Sequence, residues 1–212
     1  MLELLIATTN RGKLREIRRI LRRFEIEVLS PAEAGIAFAV EETAGTFEGN
    51  ARLKAEALVA WIDMPVLGDD SGIEVDALEG RPGLLSARYG GAELNDAGRN
   101  ARLLTEMEDV AEEERSARFR CAVAVAESGR ASVVFEGCVE GRVARQARGS
   151  GGFGYDPIFY FPGYRRTFGE LTPDEKDTVS HRGHAFRAAG NYLTQRHEKD
   201  ILSRRSALEG DS

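Results

Sequence analysis

Leu2-Glu3-Leu4-Leu5-Ile6-Ala7-Thr8-Thr9-Asn10-Arg11-Gly12-Lys13 opens the chain with an apolar run that breaks into hydroxyls, an amide and a glycine. Residues from about 3 to 9 read as a strand. Beyond them Leu14, Ile17, Ile20, Leu21 and Phe24 recur at the spacing of a helix with one apolar face. Strand, short loop and amphipathic helix in that order make one strand–loop–helix unit. The helix also carries Arg11, Lys13, Arg15, Arg18, Arg19, Arg22 and Arg23, which read as its solvated face apart from Lys13.

A second helix is predicted over about residues 47–62, with Leu53, Leu58, Trp61 and Ile62 as core candidates and Asn50 near its start. The short strand 65–68 is expected to end on Asp69 and Asp70, and residues 73–78 form another extended piece before the turn Gly80-Arg81-Pro82-Gly83. A third helix follows at about 96–107, then an exposed acidic loop, Glu112-Glu113-Glu114. Residues 117–123 and 132–143 alternate in polarity on either side of Ser128-Gly129-Arg130, which predicts an antiparallel hairpin and therefore a mixed sheet. Pro157-Ile158-Phe159-Tyr160-Phe161 reads as one more buried strand. Thr172-Pro173-Asp174-Glu175 specifies a helix start, with Thr172 as N-cap and Glu175 closing a capping box. The last helix is expected from about His181 to Leu193 or beyond, with a polar, fraying tail from about 203. No repeat or linker divides residues 1–212, so one domain is expected.

Composition narrows the function classes. The 212 residues are 42% hydrophobic and 30% charged, which suits a globular protein rather than a disordered one. No apolar run approaches the ~18 residues that cross a bilayer, so no membrane partner is expected. The chain opens directly into its strand without a basic leader, and a cytoplasmic location is expected. Cys121 and Cys138 sit in apolar alternating segments and read as small buried thiols rather than a disulfide. A net charge of −6 disfavours a nucleic-acid partner, so any phosphate site must be local.

Gly149-Ser150-Gly151-Gly152-Phe153-Gly154 matches a dinucleotide fingerprint in letters, but it runs into Tyr155-Asp156-Pro157 and a β-rich segment instead of opening a helix. Gly12-Lys13 lacks the upstream glycine and the following Ser or Thr of a P-loop. Thr8 to Lys13 is a better phosphate candidate, because a helix N-terminus there offers free N–H groups, hydroxyls and a lysine. Asn and Gly before a helix are also ordinary caps. Asp69 and Asp70 are adjacent carboxylates whose charges call for a cation or hydrogen bonds, and Glu41 and Glu42 form a second acidic pair. A turn with self-capping aspartates is an equal reading of the same residues. Lys176, His181 and Arg182 add two permanent cations and an imidazole near the start of the last helix, a set suited to binding a flexible polyphosphate.

In this order the blocks resemble the inosine triphosphate pyrophosphatase family. The resemblance rests on Ala7-Thr8-Thr9-Asn10-Arg11-Gly12-Lys13, Glu41-Glu42-Thr43 with Thr46-Phe47, Asn50-Ala51 and Lys54-Ala55, Asp69-Asp70-Ser71-Gly72, Arg81-Pro82-Gly83 with Ser86-Ala87-Arg88-Tyr89, Gly152-Phe153-Gly154-Tyr155-Asp156-Pro157, and Ser180-His181-Arg182. It implies a two-lobed α/β fold on a long mixed sheet, a substrate groove between the lobes, and a homodimer. The implied reaction is hydrolysis of ITP, dITP and XTP to monophosphate and pyrophosphate with Mg2+. Carried onto this chain, Thr8, Thr9, Asn10, Arg11, Gly12 and Lys13 would hold phosphates and Ser71 would touch substrate. Phe153, Gly154, Tyr155 and Asp156, with Lys176, His181 and Arg182, would bind base and phosphates. Asp70 would be the base that activates water for attack on the α-phosphorus, and Glu41 with Asp70 would hold the metal. One departure bears on that last pair: many relatives carry an acid just before the asparagine at position 50, and here the residue is Gly49. Glu42 or Glu48 would then stand in for it. Two other readings remain open in the sequence, a Maf-like pyrophosphatase for modified nucleotides and a nucleotide-binding module without turnover.

Overall fold

The computed structural model describes residues 2–210, with side chains through Ser203. The opening run forms β1 (Leu2–Ile6), and Asn10 then caps α1 (Arg11–Leu21) by accepting the N–H groups of Gly12 and Lys13 on its Oδ1. The chain returns through β2 (Ile26–Leu29), parallel to β1. Thr46 caps α2 (Phe47–Val59), which leads into β3 (Val66–Val75), also parallel to β1. After α3 (Asp96–Glu106) the expected hairpin forms from β4 (Ser116–Ala126) and β5 (Val133–Val143), antiparallel to each other and to β3. Short β6 (Phe159–Phe161) and β7 (Arg166–Thr167) complete a seven-stranded mixed sheet in the order β2-β1-β3-β4-β5-β6-β7. Thr172 and Glu175 make the capping box that starts α4 (Pro173–Val179), and α5 (His181–Gly210) closes the fold.

Helices cover both faces. On one, α1 and α5 bury Ile17, Leu21, Phe186 and Ala189 against Leu4, Ile6, Leu67 and Val123. On the other, α2 lays Ala51, Ala55 and Leu58 on Leu5, Val66, Ala122 and Ala124. A third apolar cluster fills the far lobe, where Ile73, Val75, Ala117 and Phe119 meet Leu103, Met107, Phe159 and Phe168. The strands β3 and β4 thus pass from one lobe into the other. Between Leu67 and Ile73 the apolar filling is interrupted, and that gap is where Asp69, Asp70 and Ser71 stand.

Three expectations are corrected. Asp69 and Asp70 do not end a strand: β3 runs through them unbroken, with Asp69 paired to Val123 and Asp70 to Ala122, which removes the turn reading. Trp61 is 81% exposed and Leu53 is exposed too, because the buried stripe of α2 is Phe47, Asn50, Ala51, Lys54, Ala55 and Leu58 and the helix stops before Trp61. Cys138 is exposed while Cys121 is buried. The last helix runs from His181 to Gly210, beyond Leu193 as expected, and the final two residues lie outside those described. Among the described residues no helix is long and apolar enough to cross a membrane.

Candidate active site

Side chains alternate along a strand, so Asp69 and Asp70 must face opposite sides of the sheet. Asp69 points with Leu67 toward α1 and α5 and is fully buried. Lys13 Nζ lies 2.9 Å from its Oδ2, and neither carboxylate oxygen meets hydrogen-bond geometry with a protein donor. Burial would raise its pKa, but the charges of Lys13, Arg182 and Lys54 outweigh that and hold it below the usual carboxylate value. Asp70 points toward α2. Its Oδ2 accepts from Asn50 Nδ2 at 2.9 Å, its Oδ1 accepts from Ser71 N at 2.9 Å, and Lys54 Nζ stands 3.5 Å from Oδ1. Here burial wins over Lys54, Lys13 and the Asn50 hydrogen bond, and the pKa of Asp70 is raised.

Close packing sets this arrangement. A Cβ at Gly68 would meet Ala51 O at 2.1 Å and Ala55 N at 2.7 Å, so only glycine lets α2 sit near enough to hang Asn50 and Lys54 over Asp70. Gly137 does the same for α5, since a Cβ there would lie 2.0 Å from His181 O. That contact sets His181 and Arg182 at the opposite side of β3. Arg182 Nη2 donates to Ser71 Oγ at 2.7 Å and Nη1 to Glu16 Oε2 at 2.7 Å. Glu16 also accepts from Lys176 Nζ at 2.6 Å, and Lys176 pairs with Asp156 as well. These four buried charges sum to zero. Lys176 and Arg182 keep Glu16 ionised against its burial, and burial raises Asp156. His181 is stacked on Phe119 at 4.6 Å, and burial with Arg182 and Lys176 nearby drives its pKa well below 6.5, so its imidazole is neutral.

Two cavities open over this machinery. One, of about 250 Å³, is lined by Phe153, Gly154, Tyr155, Asp156, Lys176, His181 and Arg182, with Asp96 and Arg99 of α3. Lys176 Nζ and the Arg182 guanidinium lie 5.0 and 5.4 Å from the centroid of the Phe153 ring. The other, of about 480 Å³, is lined by Thr8, Thr9, Glu42, Lys54, Asp70 and Leu84 among others. Asn10, Lys13, Ser71 and Ala87 line both, so the two are the halves of one groove. The end at Phe153 and Tyr155 is aromatic and rich in donors, and the other end gathers hydroxyls and carboxylates.

Of the residues read from the sequence, Thr8, Thr9, Asn10, Lys13, Asp70, Ser71, Phe153, Gly154, Tyr155, Asp156, Lys176, His181 and Arg182 come together along this groove. Arg11 is exposed and lines neither half, and Gly12 contributes to the α1 cap behind Phe153 rather than to the lining. Glu41 and Glu48 are exposed and off the groove; of the acids considered beside Asp70, Glu42 is the one that lines it, with Oε1 2.7 Å from Lys54 Nζ. Lys54 keeps Glu42 ionised against its partial burial. Asn50, Lys54, Glu16, Asp96 and Arg99 escaped the sequence reading as site residues. Polar residues at the buried stripe of a helix, Asn50 and Lys54 in α2 and Glu16 beside Ile17 and Ile20 in α1, were the available signal.

The groove offers hard oxygen donors in Asp70 and Glu42, both within reach of one lysine nitrogen. Among the described residues no group of three or more His, Cys, Asp or Glu is gathered as for a metal cage. This donor set fits magnesium, which takes one or two carboxylates and completes its shell with water and substrate phosphate.

Known proteins resemble this chain over most of its length. The dITP/XTP pyrophosphatase of Geobacillus kaustophilus is 49% identical over 186 residues, 88% of this chain and 91% of that protein. The one from Bacillus subtilis is 45% identical over 193 residues, 91% of this chain and 98% of its own. Among solved structures, a HAM1 protein from Coxiella burnetii superposes with a TM-score of 0.82 at 41% identity, covering 92% of this chain and all of that one. The Ham1 protein of Staphylococcus aureus gives 0.81 at 37% identity, with 92% and 99% covered. The model of the Ham1 family matches residues 4–192, and the chain belongs to that family.

Proposed function

We propose that this chain hydrolyses deaminated purine nucleoside triphosphates, ITP, dITP and XTP, to the monophosphate and pyrophosphate with Mg2+. The observation that carries the reading is the single groove that joins a donor-lined aromatic pocket to a carboxylate and hydroxyl pocket across Asn10, Lys13 and Ser71. The names of the curated relatives point the same way.

In this reading the purine lies against Phe153, with the donors of Lys176 and Arg182 at its edge. An acceptor at position 6 suits such donors, whereas the amine of adenine leaves them unmatched at about 1–3 kcal/mol each. The triphosphate crosses the α1 N-terminus, where Thr8, Thr9, Asn10 and Lys13 supply hydroxyls, an amide and a positive charge. Asp70 takes the proton of a water whose oxygen bonds to the α-phosphorus, and the bond from that phosphorus to the bridging oxygen breaks to release pyrophosphate. Its raised pKa moves it toward the range in which a general base works well near neutral pH. Asn50 and Lys54 hold the carboxylate in place. Asp69 stays charged and anchors Lys13. Magnesium held by Asp70 and Glu42 would offset phosphate charge and acidify bound water.

A nucleoside triphosphate panel with MgCl2, scored for both products, tests the reading. IMP with pyrophosphate is expected from ITP, and IDP with orthophosphate would overturn it.

A further inference from the structure

The base end of the groove has a cation that the scheme above leaves without a task. Arg99 stands in the first turn of α3, lines the cavity with Phe153 and Tyr155, and has a side chain only 14% exposed. Its closest acid is Asp96, at 3.6 Å from Nη1 to Oδ1, beyond hydrogen-bond range. Asp96 gives its other oxygen to Gly154 N at 2.8 Å. Arg99 Nε is buried without a hydrogen-bond partner. Tethering the glycine loop does not account for Arg99 either, because Asn100 Nδ2 already donates to Gly154 O at 3.1 Å and Asp96 holds Gly154 N. A buried guanidinium N–H without an acceptor is costly, and a ligand that brings an acceptor relieves the cost.

We propose that Arg99 is a specificity-determining residue that reads the 2-position of the purine and donates to the 2-oxo group of xanthine. The inference rests on the pyrophosphatase reading and adds to it the selection among purines. Lys176 and Arg182 flank Phe153 from the buried charge cluster, while Arg99 approaches the same cavity from α3. Arginine has five donors and no acceptor. It therefore matches the carbonyl of xanthine, gains nothing from the hydrogen of hypoxanthine, and faces the amine of guanine donor to donor. Xanthine is also the most acidic of the three bases, and a guanidinium favours its anion. One side chain thus accounts both for a preference for XTP over ITP and for rejection of GTP, two distinctions that a reader of position 6 alone cannot make, because all three bases carry the 6-oxo group.

The test is kcat/KM for XTP, ITP and GTP with the wild-type protein, Arg99→Met and Arg99→Lys. In Arg99→Met the XTP to ITP ratio should fall about tenfold or more and the GTP to ITP ratio should rise. Arg99→Lys, which keeps a donor and the charge, should recover part of the XTP preference. Ratios in Arg99→Met within twofold of wild type would overturn the proposal, as would an equal loss on all three substrates. If the wild type turns over none of them, the pyrophosphatase reading fails separately. Titration of wild type and Arg99→Met with xanthosine and inosine monophosphates then decides on Arg99, an unchanged affinity ratio counting against it.

Discussion

Asp69 and Asp70 are the same side chain on consecutive residues of one strand, and the fold treats them in opposite ways. Asp69 is sealed in the layer under α1 and α5, and Lys13, Arg182 and Lys54 lower its pKa. Asp70 turns to the groove, where its burial outweighs its cationic neighbours and raises its pKa. A charge that cations hold inside a protein is a fixture. A charge whose neutral form the fold favours is poised to take a proton. The period of two along β3 is what separates these tasks, because one step along the strand crosses from one face of the sheet to the other.

Asparagine at each position breaks the comparison most directly. In the proposed reaction Asp70→Asn removes the base and a metal oxygen together, and turnover measured as pyrophosphate release should fall by about a thousandfold or more. Its unfolding midpoint should change little at neutral pH, since the fold does not favour the charged form of Asp70. Asp69→Asn should do the reverse in kind. It leaves Lys13 and Arg182 without their shared anion, and removing one partner of a buried ion pair costs about 3–5 kcal/mol. Denaturant unfolding should show that loss. If Asp69→Asn unfolds like wild type while Asp70→Asn is strongly destabilised, the assignment of fixture and base is inverted.

The two directions of pKa shift also separate the residues in pH. Asp69 has a folded pKa below its ordinary value of 3.8, so its contribution to stability is complete above that value and is lost as pH falls through the folded pKa. Asp70 has a folded pKa above 3.8, so its contribution is present below 3.8 and is lost as pH rises toward the folded value. As the proposed base, Asp70 must be ionised for turnover. The acid limb of kcat/KM should therefore have its midpoint above 3.8, at a pH where unfolding experiments show the protein still folded. A midpoint at or below 3.8 would remove Asp70 from the limb.

How much of this was legible in the sequence follows from the range of each interaction. The units β1-loop-α1, the β4–β5 hairpin and the start of α4 are written locally, in periodicity, turn residues and a capping box. β3 was not, because Gly-Asp-Asp-Ser-Gly has poor strand propensity and pairing with β4 overrides it. β2 has only four residues and takes its place from its parallel neighbour. The groove shows the same division. Lys13, Asp70, Phe153, Lys176 and Arg182 stand in short motifs whose chemistry is visible. Glu16 acquires its meaning only from Lys176 and Arg182, more than a hundred residues away in sequence, and Asn50 and Lys54 only from the approach of α2 to Gly68. Arg99 stands in no motif, and only the fold brings it to the groove.

The smallest effect concerns the partner of Asp70, and it sharpens the contrast between the faces of β3. Resemblance favoured Glu41, whereas the groove holds Glu42, paired with the same Lys54 that stands beside Asp70. Lys54 occupies the position between these carboxylates and already balances part of their charge, so losing Glu42 should weaken metal binding without abolishing catalysis. For Glu42→Gln the magnesium concentration at half-maximal rate should rise by about tenfold, while Glu41→Gln should leave it within about twofold. An equal shift from both variants would mean that the segment bearing them acts as a unit. A shift from Glu41→Gln alone would place Glu41 at the metal and return Glu42 to a structural pairing with Lys54. The outcome expected from the groove leaves metal binding to the α2 side of β3 and the permanent ion pairs to the α1 and α5 side, so that a single strand keeps its reacting charge apart from its structural one.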